Sequence, residues 1–265
     1  MQEITFIEQF LRQNLSYIQD KYRQRSEITV TSKRDANDML TEVDLTLQKR
    51  AVEEIQALFP GDAIVAEEGA FSAYEKDLQG RAWIMDPIDG TNNFVRGLFP
   101  IFAVSLAFAV NGQAVAAGVL LPGTGEVYLA ERGRGATRNG MPMQVSPTTI
   151  VGESRIDIDF STLTDRRALV ERAPEILFNT GQIRCLGSAV ASITHVAAGE
   201  AEAYFHITLN PWDYAAAQLL VEEAGGRASR LDGSPLRIFD KRLGVLISNG
   251  SVHDELLSLV GPPQG

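Results

Sequence analysis

The chain is poor in cysteine, in positive charge and in long apolar runs, and each shortage removes a class of protein. Its one cysteine, Cys185, excludes an intramolecular disulfide framework and reads as a small buried residue in a reducing compartment. Its 24 Lys and Arg are outnumbered by 34 Asp and Glu, for a formal charge of −10. No basic excess is left to neutralise a nucleic-acid backbone, so nucleic acid is not an expected partner. A small phosphorylated ligand stays open, because a bound cation would reverse the local sign. The longest apolar stretch, Ile101 to Val110, is too short to cross a bilayer, and the N-terminus lacks the basic and apolar regions of a secretory leader. A soluble, cytoplasmic protein with no membrane partner is the expectation.

What is present suffices for a packed core: 265 residues with 45% hydrophobic content. Ile4, Ile7, Leu11, Leu15, Ile18 and Tyr22 recur at helical spacing, and a second helix is expected over about 41–58, closed by Phe59-Pro60-Gly61. Residues 63–66 and 82–85 read as short buried strands, each delivering carboxylates at its C-terminal end. From about 102 to 145, strand-like runs are separated by Asn111-Gly112 and Pro122-Gly123-Thr124-Gly125, the pattern of an antiparallel meander. Beyond 150, strands near 153–158, 182–186, 201–207, 227–231 and 244–248 alternate with helices near 165–173, 188–198, 213–224 and 252–260. Gly225-Gly226 stops a helix, and the tail 261–265 is expected to be disordered. With no repeat or linker, residues 1–150 and 151–265 are expected to pack as two lobes of one α+β unit.

The most informative segment is Asp86-Pro87-Ile88-Asp89-Gly90-Thr91, at the end of the apolar run Ala82-Trp83-Ile84-Met85. Pro87 is expected to stop the strand, so that both aspartates turn toward one point. Carboxylates held that close repel unless they share a proton or a metal ion, and oxygen ligands favour Mg²⁺, Mn²⁺ or Ca²⁺. Gly90 and Thr91 follow with an amide and a hydroxyl suited to phosphate or water. Two further acidic clusters stand at element boundaries: Glu67-Glu68, and Asp213 after Trp212. Each has a plainer reading. A Glu-Glu pair is often a solvated loop, Asp213 would serve as the N-cap of the helix after it, and Thr41-Glu42-Val43-Asp44 matches a capping box.

Taken together, these motifs resemble the inositol monophosphatase family of metal-dependent, lithium-sensitive phosphomonoesterases. The resemblance rests on Trp83-Ile84-Met85-Asp86-Pro87-Ile88-Asp89-Gly90-Thr91, on Ala66-Glu67-Glu68-Gly69 upstream, and on Trp212-Asp213-Tyr214-Ala215-Ala216-Ala217 running to Gly225-Gly226. It covers nearly the whole chain. It implies a layered αβαβα sandwich of the inositol monophosphatase and fructose-1,6-bisphosphatase type, a homodimer, and two or three Mg²⁺ per subunit. The N-terminal lobe would carry most metal ligands, and the C-terminal lobe Asp213 and the substrate contacts.

Residue by residue, the resemblance implies that Glu68, Asp86 and the Ile88 carbonyl hold one metal. Asp86, Asp89 and Asp213 hold the second, and Glu68 also helps place a third ion, with Glu67 in support. Asp44 and Thr91 form the pair that activates the attacking water, and the amides of Gly90 and Thr91 grip the phosphate. Gly187-Ser188-Ala189 contacts the rest of the substrate, and Lys33 belongs to the loop that completes the site. The implied activity is Mg²⁺-dependent hydrolysis of inositol 1-phosphate or a related sugar phosphate.

One position departs from the pattern. Seven residues before Asp213, where inositol-specific members carry a glutamate, this chain has His206. Histidine can hydrogen-bond hydroxyls or bring positive charge toward a second anionic group, and it can also simply pack at a strand end. Fructose 1,6-bisphosphate, NADP, histidinol phosphate and 3′-phosphoadenosine 5′-phosphate are therefore carried as alternative substrates. Asn92-Asn93-Phe94 looks like the inositol branch, and His195 reads as a structural histidine. A second class, a non-catalytic metal-binding regulatory protein, is carried beside the enzyme. The Asp44–Thr91 pair argues against it, since binding alone has no need of water activation.

Overall fold

The computed structural model describes residues 2–32, 39–72, 78–97, 99–160 and 163–260. Lys33 and the tail 261–265 fall outside them. The chain opens with helix α1 (Gln2–Arg23), whose stripe Phe6, Ile7, Phe10, Leu11 and Ile18 is buried. Two short strands, β1 (Val30–Ser32) and β2 (Met39–Thr41), pair antiparallel and lead into α2 (Glu42–Leu58). The expected capping box starts α2, with Thr41 as N-cap and the Thr41 N–H donating to Asp44 at 2.9 Å.

A seven-stranded sheet follows. It comprises β3 (Ala63–Ala66), β4 (Arg81–Asp89), then after the short helix α3 (Thr91–Arg96) the strands β5 (Ala103–Val110), β6 (Gln113–Leu121), β7 (Glu126–Glu131), β8 (Ala136–Arg138) and β9 (Met141–Pro142). The spatial order is the chain order, β3 to β9, with β3 and β4 parallel and every later pair antiparallel. The Asn-Gly turn joins β5 to β6, with both residues at positive φ (51° and 75°), as a two-residue hairpin turn requires.

The second half contains β10 (Arg155–Ile158), α4 (Leu163–Arg172), α5 (Pro174–Asn179), β11 (Gln182–Arg184), α6 (Ala189–Ala197), β12 (Ala203–Leu209), α7 (Pro211–Glu223), β13 (Arg227–Arg230), β14 (Leu243–Ser248) and α8 (His253–Ser258). Its five strands run in the order β11-β10-β12-β14-β13. Helix α5, which hydrophobic periodicity did not reveal, starts on Pro174, a residue preorganised for a first helical turn.

Three hydrophobic cores glue five layers. One packs α1 and α2 on the seven-stranded sheet, the second sandwiches α6 and α7 between the two sheets, and the third packs α4, α5 and α8 outside the five-stranded sheet. This is the αβαβα arrangement expected. Trp83 anchors the outer helix layer to β4, with the rings of Phe6, Phe59 and Phe108 each within 5.2 Å, centroid to centroid, and Nε1 donating to Asp62 at 2.9 Å.

Three expectations need correction. Cys185, expected to be buried, is exposed on the segment between β11 and α6. Pro87 does not stop the strand: β4 runs on to Asp89 through a bulge. Asp86 pairs with Ser105 and Asp89 with Ala103, so three steps on β4 oppose two on β5. In a regular strand, residues three apart point to opposite faces. The extra residue resets the alternation and puts Asp86 and Asp89 on the same face, toward α6 and α7. Pro87 suits that position because it has no N–H to leave unpaired. Nor is Asp213 the N-cap of α7. The helix begins at Pro211 with Asn210 as cap, and Asp213 is its third residue, accepting the Asn210 N–H at 2.7 Å.

Close approach between α1 and the sheet depends on Gly118 of β6. A Cβ there would lie 2.4 Å from Ile7 Cγ2 and 2.8 Å from Leu11 Cδ1. Gly118→Ala should destabilise the protein by about 1–3 kcal/mol through overpacking, read as a lower urea midpoint with an unchanged slope.

Candidate active site

Strand ends and helix starts from both halves converge where β3 and β4 meet α6 and α7. Asp86, Asp89 and Asp213 each bring a carboxylate oxygen to within 4.8 Å of the others. Asp86 is 1% exposed, and its Oδ1 has no hydrogen-bond partner among the described residues. A buried carboxylate oxygen without a partner is costly, and a cation is the group that satisfies it. Asp89 is anchored instead: its Oδ2 accepts from the Ser188 hydroxyl and from the Val190 N–H at 2.8 Å.

Burial drives the carboxyl of Asp86 well above the ordinary carboxylate range, and the charges of Glu67, Asp89, Asp213 and Asp44 push it further. Asp89 is raised by burial too, against the hydrogen bonds from Ser188 and Val190 that favour its anion. Protons hold such a cluster together only while no dication does.

The two glutamates after β3 part company. Glu67 is the charged neighbour with the largest effect on both Asp86 and Asp89. Glu68 is buried, and its backbone is held on both sides by Gln48 of α2, at 2.9 and 3.1 Å. Strand alternation explains the split. Ala63 and Val65 face the α6–α7 core, Ile64 and Ala66 face α1 and α2, and one more step turns Glu67 toward the aspartates.

Across the cleft, Thr91 Oγ1 donates to the Ile88 carbonyl at 2.8 Å and lies 3.4 Å from Oδ1 of Asp44. Asp44 thus serves as capping residue and as neighbour of Thr91 at once, fully buried. Gly90 takes φ 86°, and a Cβ on it would sit 3.0 Å from Ser188 Cβ and 3.2 Å from the Gly187 carbonyl, so glycine lets the two halves touch. Ser188 is the N-cap of α6, with Gly187 before it and Ala189 first in the helix.

His206 is buried on β12, its ring 6.1 Å from that of Tyr204 and nearly parallel to it. Its Nδ1 accepts the Thr208 N–H at 2.9 Å, so the neutral ring carries its proton on Nε2. His195 pairs with Glu200 at 2.6 Å, away from the carboxylates. Two residues at this junction had no role assigned from the sequence, although Asn93 stood in the Asn92-Asn93-Phe94 segment. Asn93 crosses from α3 to the segment before α6, and Tyr204 buries a hydroxyl with no partner among the described residues. Their contacts appear only through space.

The profile of the inositol monophosphatase family matches residues 1–261. The chain belongs to that family. It is 37% identical over 235 residues, covering 87% of this chain and 86% of the relative, to a Thermotoga maritima protein named fructose-1,6-bisphosphatase/inositol-1-monophosphatase. It is 32% identical over 243 residues to the Nus factor SuhB of Pseudomonas aeruginosa, covering 90% of this chain and 89% of that one. Among solved structures it resembles an IMPase/NADP phosphatase complexed with Mg²⁺ and phosphate, with a TM-score of 0.83 and 25% identity, over 99% of this chain and all of that one. As an inositol monophosphatase family member, the chain is a phosphoric monoester hydrolase. No helix among its described residues is long and apolar enough to cross a membrane.

Charge repulsion and cation binding make opposite demands on Asp86. Asp86→Asn should raise the thermal midpoint of the metal-stripped protein by roughly 2–4 °C, about 1 kcal/mol for a chain of this size. It should also abolish the further rise that Mg²⁺ gives the wild type. Thermal unfolding in chelator and in Mg²⁺ reads both.

Proposed function

We propose that this phosphatase hydrolyses a small phosphate monoester, inositol 1-phosphate or a related sugar phosphate, with two or three Mg²⁺ in the acidic cluster. The observation that carries this reading is the buried Oδ1 of Asp86, without a hydrogen-bond partner among the described residues, in a cluster where Asp89 and Asp213 converge. An all-oxygen donor set of this kind suits Mg²⁺, which keeps several of its own waters.

Asp86 and the Ile88 carbonyl would hold one cation with a glutamate, and Asp86, Asp89 and Asp213 the second. Glu67, whose charge reaches Asp86 and Asp89 most strongly, takes the ligand role that the sequence motif assigned to Glu68. Glu68 supports the turn through Gln48. When bound, Mg²⁺ supplies positive charge that acidifies a water and offsets charge on the transferring phosphoryl group.

The chain's own residues do the rest. Asp44 is fixed by the Thr41 N–H and so offers a stationary acceptor beside the Thr91 hydroxyl. Together they orient the attacking water and take up its proton. The amides of Gly90 and Thr91 hold the phosphate, and Gly187 to Ala189 bound the alcohol side of the pocket. His206, with its Nε2 proton fixed, would donate to a hydroxyl or anionic oxygen where a glutamate would accept. This favours substrates with an acceptor at that edge and keeps fructose 1,6-bisphosphate and NADP in contention.

The relative named Nus factor SuhB favours a second reading, in which the site binds without turnover. Phosphate release separates the two. Metal-stripped and Mg²⁺-loaded protein are assayed on inositol 1-phosphate, fructose 1,6-bisphosphate, NADP and 3′-phosphoadenosine 5′-phosphate. Turnover that requires Mg²⁺ is expected, and Asp44→Asn should lower kcat about 100-fold or more while metal binding persists. A folded, metal-loaded protein that releases no phosphate from any of them would make the binding-only reading the one to keep.

A further inference from the structure

Asn93 sits on α3, four residues past Asp89, yet its side chain leaves that helix for the other half of the molecule. Nδ2 donates to the Ile101 carbonyl at 2.7 Å and to the Leu186 carbonyl at 2.7 Å, with the Gly187 carbonyl at 3.4 Å. That pair of acceptors fixes the amide's orientation, since a flip would set Oδ1 against carbonyl oxygens. Leu186 is gripped from its other side too. Its N–H donates to Asp157 Oδ1 at 3.3 Å, and the Ser192 hydroxyl of α6 donates to Asp157 Oδ2. Gly187 takes φ 73°, and a Cβ there would lie 3.3 Å from Asn93 Nδ2. The chain is therefore clamped just before α6 begins. The residues that follow immediately, Ser188 and Val190, are the two that hold Oδ2 of Asp89.

We propose that Asn93 is a positioning residue. By clamping Leu186 it aims the Ser188 hydroxyl and the Val190 amide at one oxygen of Asp89, which leaves the other oxygen for a cation. The inference rests on the reading of Asp89 as a metal ligand. Without the clamp, the entry to α6 drifts, the Asp89 carboxylate loses its fixed orientation, and the cation is held less tightly. Groups that hold a metal ligand directly, as Ser188 and Val190 hold Asp89, typically govern about 10–100-fold in affinity, and Asn93 acts through them. Asn93's hydrogen bonds go to Ile101, Leu186 and Gly187, so Asp44 and Thr91, which orient water, should be spared.

The test uses Mn²⁺ as the probe ion, titrated by calorimetry into metal-stripped wild type, Asn93→Ala, Ser188→Ala and the double variant. Thermal midpoints without metal are recorded alongside. Asn93→Ala should weaken Mn²⁺ by about tenfold or more. Its kcat at saturating Mg²⁺ should stay near wild type, and the half-saturating Mg²⁺ concentration should rise. The double variant should bind little more weakly than the poorer single variant, because both act through the same oxygen of Asp89. If Asn93→Ala does not fold, Asn93→Ser, too short to reach both carbonyls, takes its place. Unchanged Mn²⁺ affinity in a folded Asn93 variant, or losses that simply multiply, would overturn the proposal. Wild type that binds no Mn²⁺ would overturn the metal reading first and this inference with it, so the two failures are distinguishable.

Discussion

Like charges gathered at a largely buried junction are the constraint to which the rest of the molecule answers. Asp86, Asp89 and Asp213 come from a strand end in one half and a helix start in the other, and Glu67 adds its charge from a neighbouring strand end. Left to themselves such groups would separate or hydrate. The fold prevents both by anchoring them to backbone. Asp89 is tied to the Val190 N–H, Asp213 to the Asn210 N–H and, across the cleft, Asp44 to the Thr41 N–H, each through Oδ2. A carboxylate with one oxygen anchored has little freedom to swing away from its neighbours. Asp86 is the exception among the described residues, and its oxygen without a hydrogen-bond partner there marks the point where a cation has most to offer.

The layering serves this arrangement. Helices α6 and α7 lie between the sheets and touch both, so the N-terminal ends of two helices are presented to the end of β4. The positive end of a helix beside a carboxylate offsets part of the repulsion within the cluster. Farther out, the aromatic cluster around Trp83 fixes β4 against α1, and Gly118 lets α1 close on the sheet. Core packing remote from the site thereby sets the position of the strand that delivers two of its aspartates.

Much of this was legible in the sequence. The stripe of α1, the Asn-Gly hairpin, the capping box at Thr41 and the Gly-Gly stop after α7 are local signals, fixed by backbone geometry within a few residues, and the elements appear where they predict. The acidic motifs identified the family for the same reason, because their order and spacing are properties of the chain alone. One misreading was non-local: Pro87 looked like a strand terminator because the bulge that absorbs it exists only when β5 lies alongside. Another was local: Asn210 before Pro211, with Asp213 three residues on, is the stronger cap signal and places Asp213 inside the first turn.

Glu67 and Glu68 show where the division falls. Adjacent and chemically identical, they can be told apart only by which face of β3 looks toward the aspartates and which toward Gln48. Sequence by itself determined which groups are on offer: clustered carboxylates, a hydroxyl with a carboxylate to meet it, and a glycine turn. Tertiary structure decided which of those oxygens meet, because convergence depends on a bulge, on helices packed between two sheets, and on an asparagine that reaches across the junction. Those contacts join residues about a hundred positions apart, and no local pattern in the chain records them.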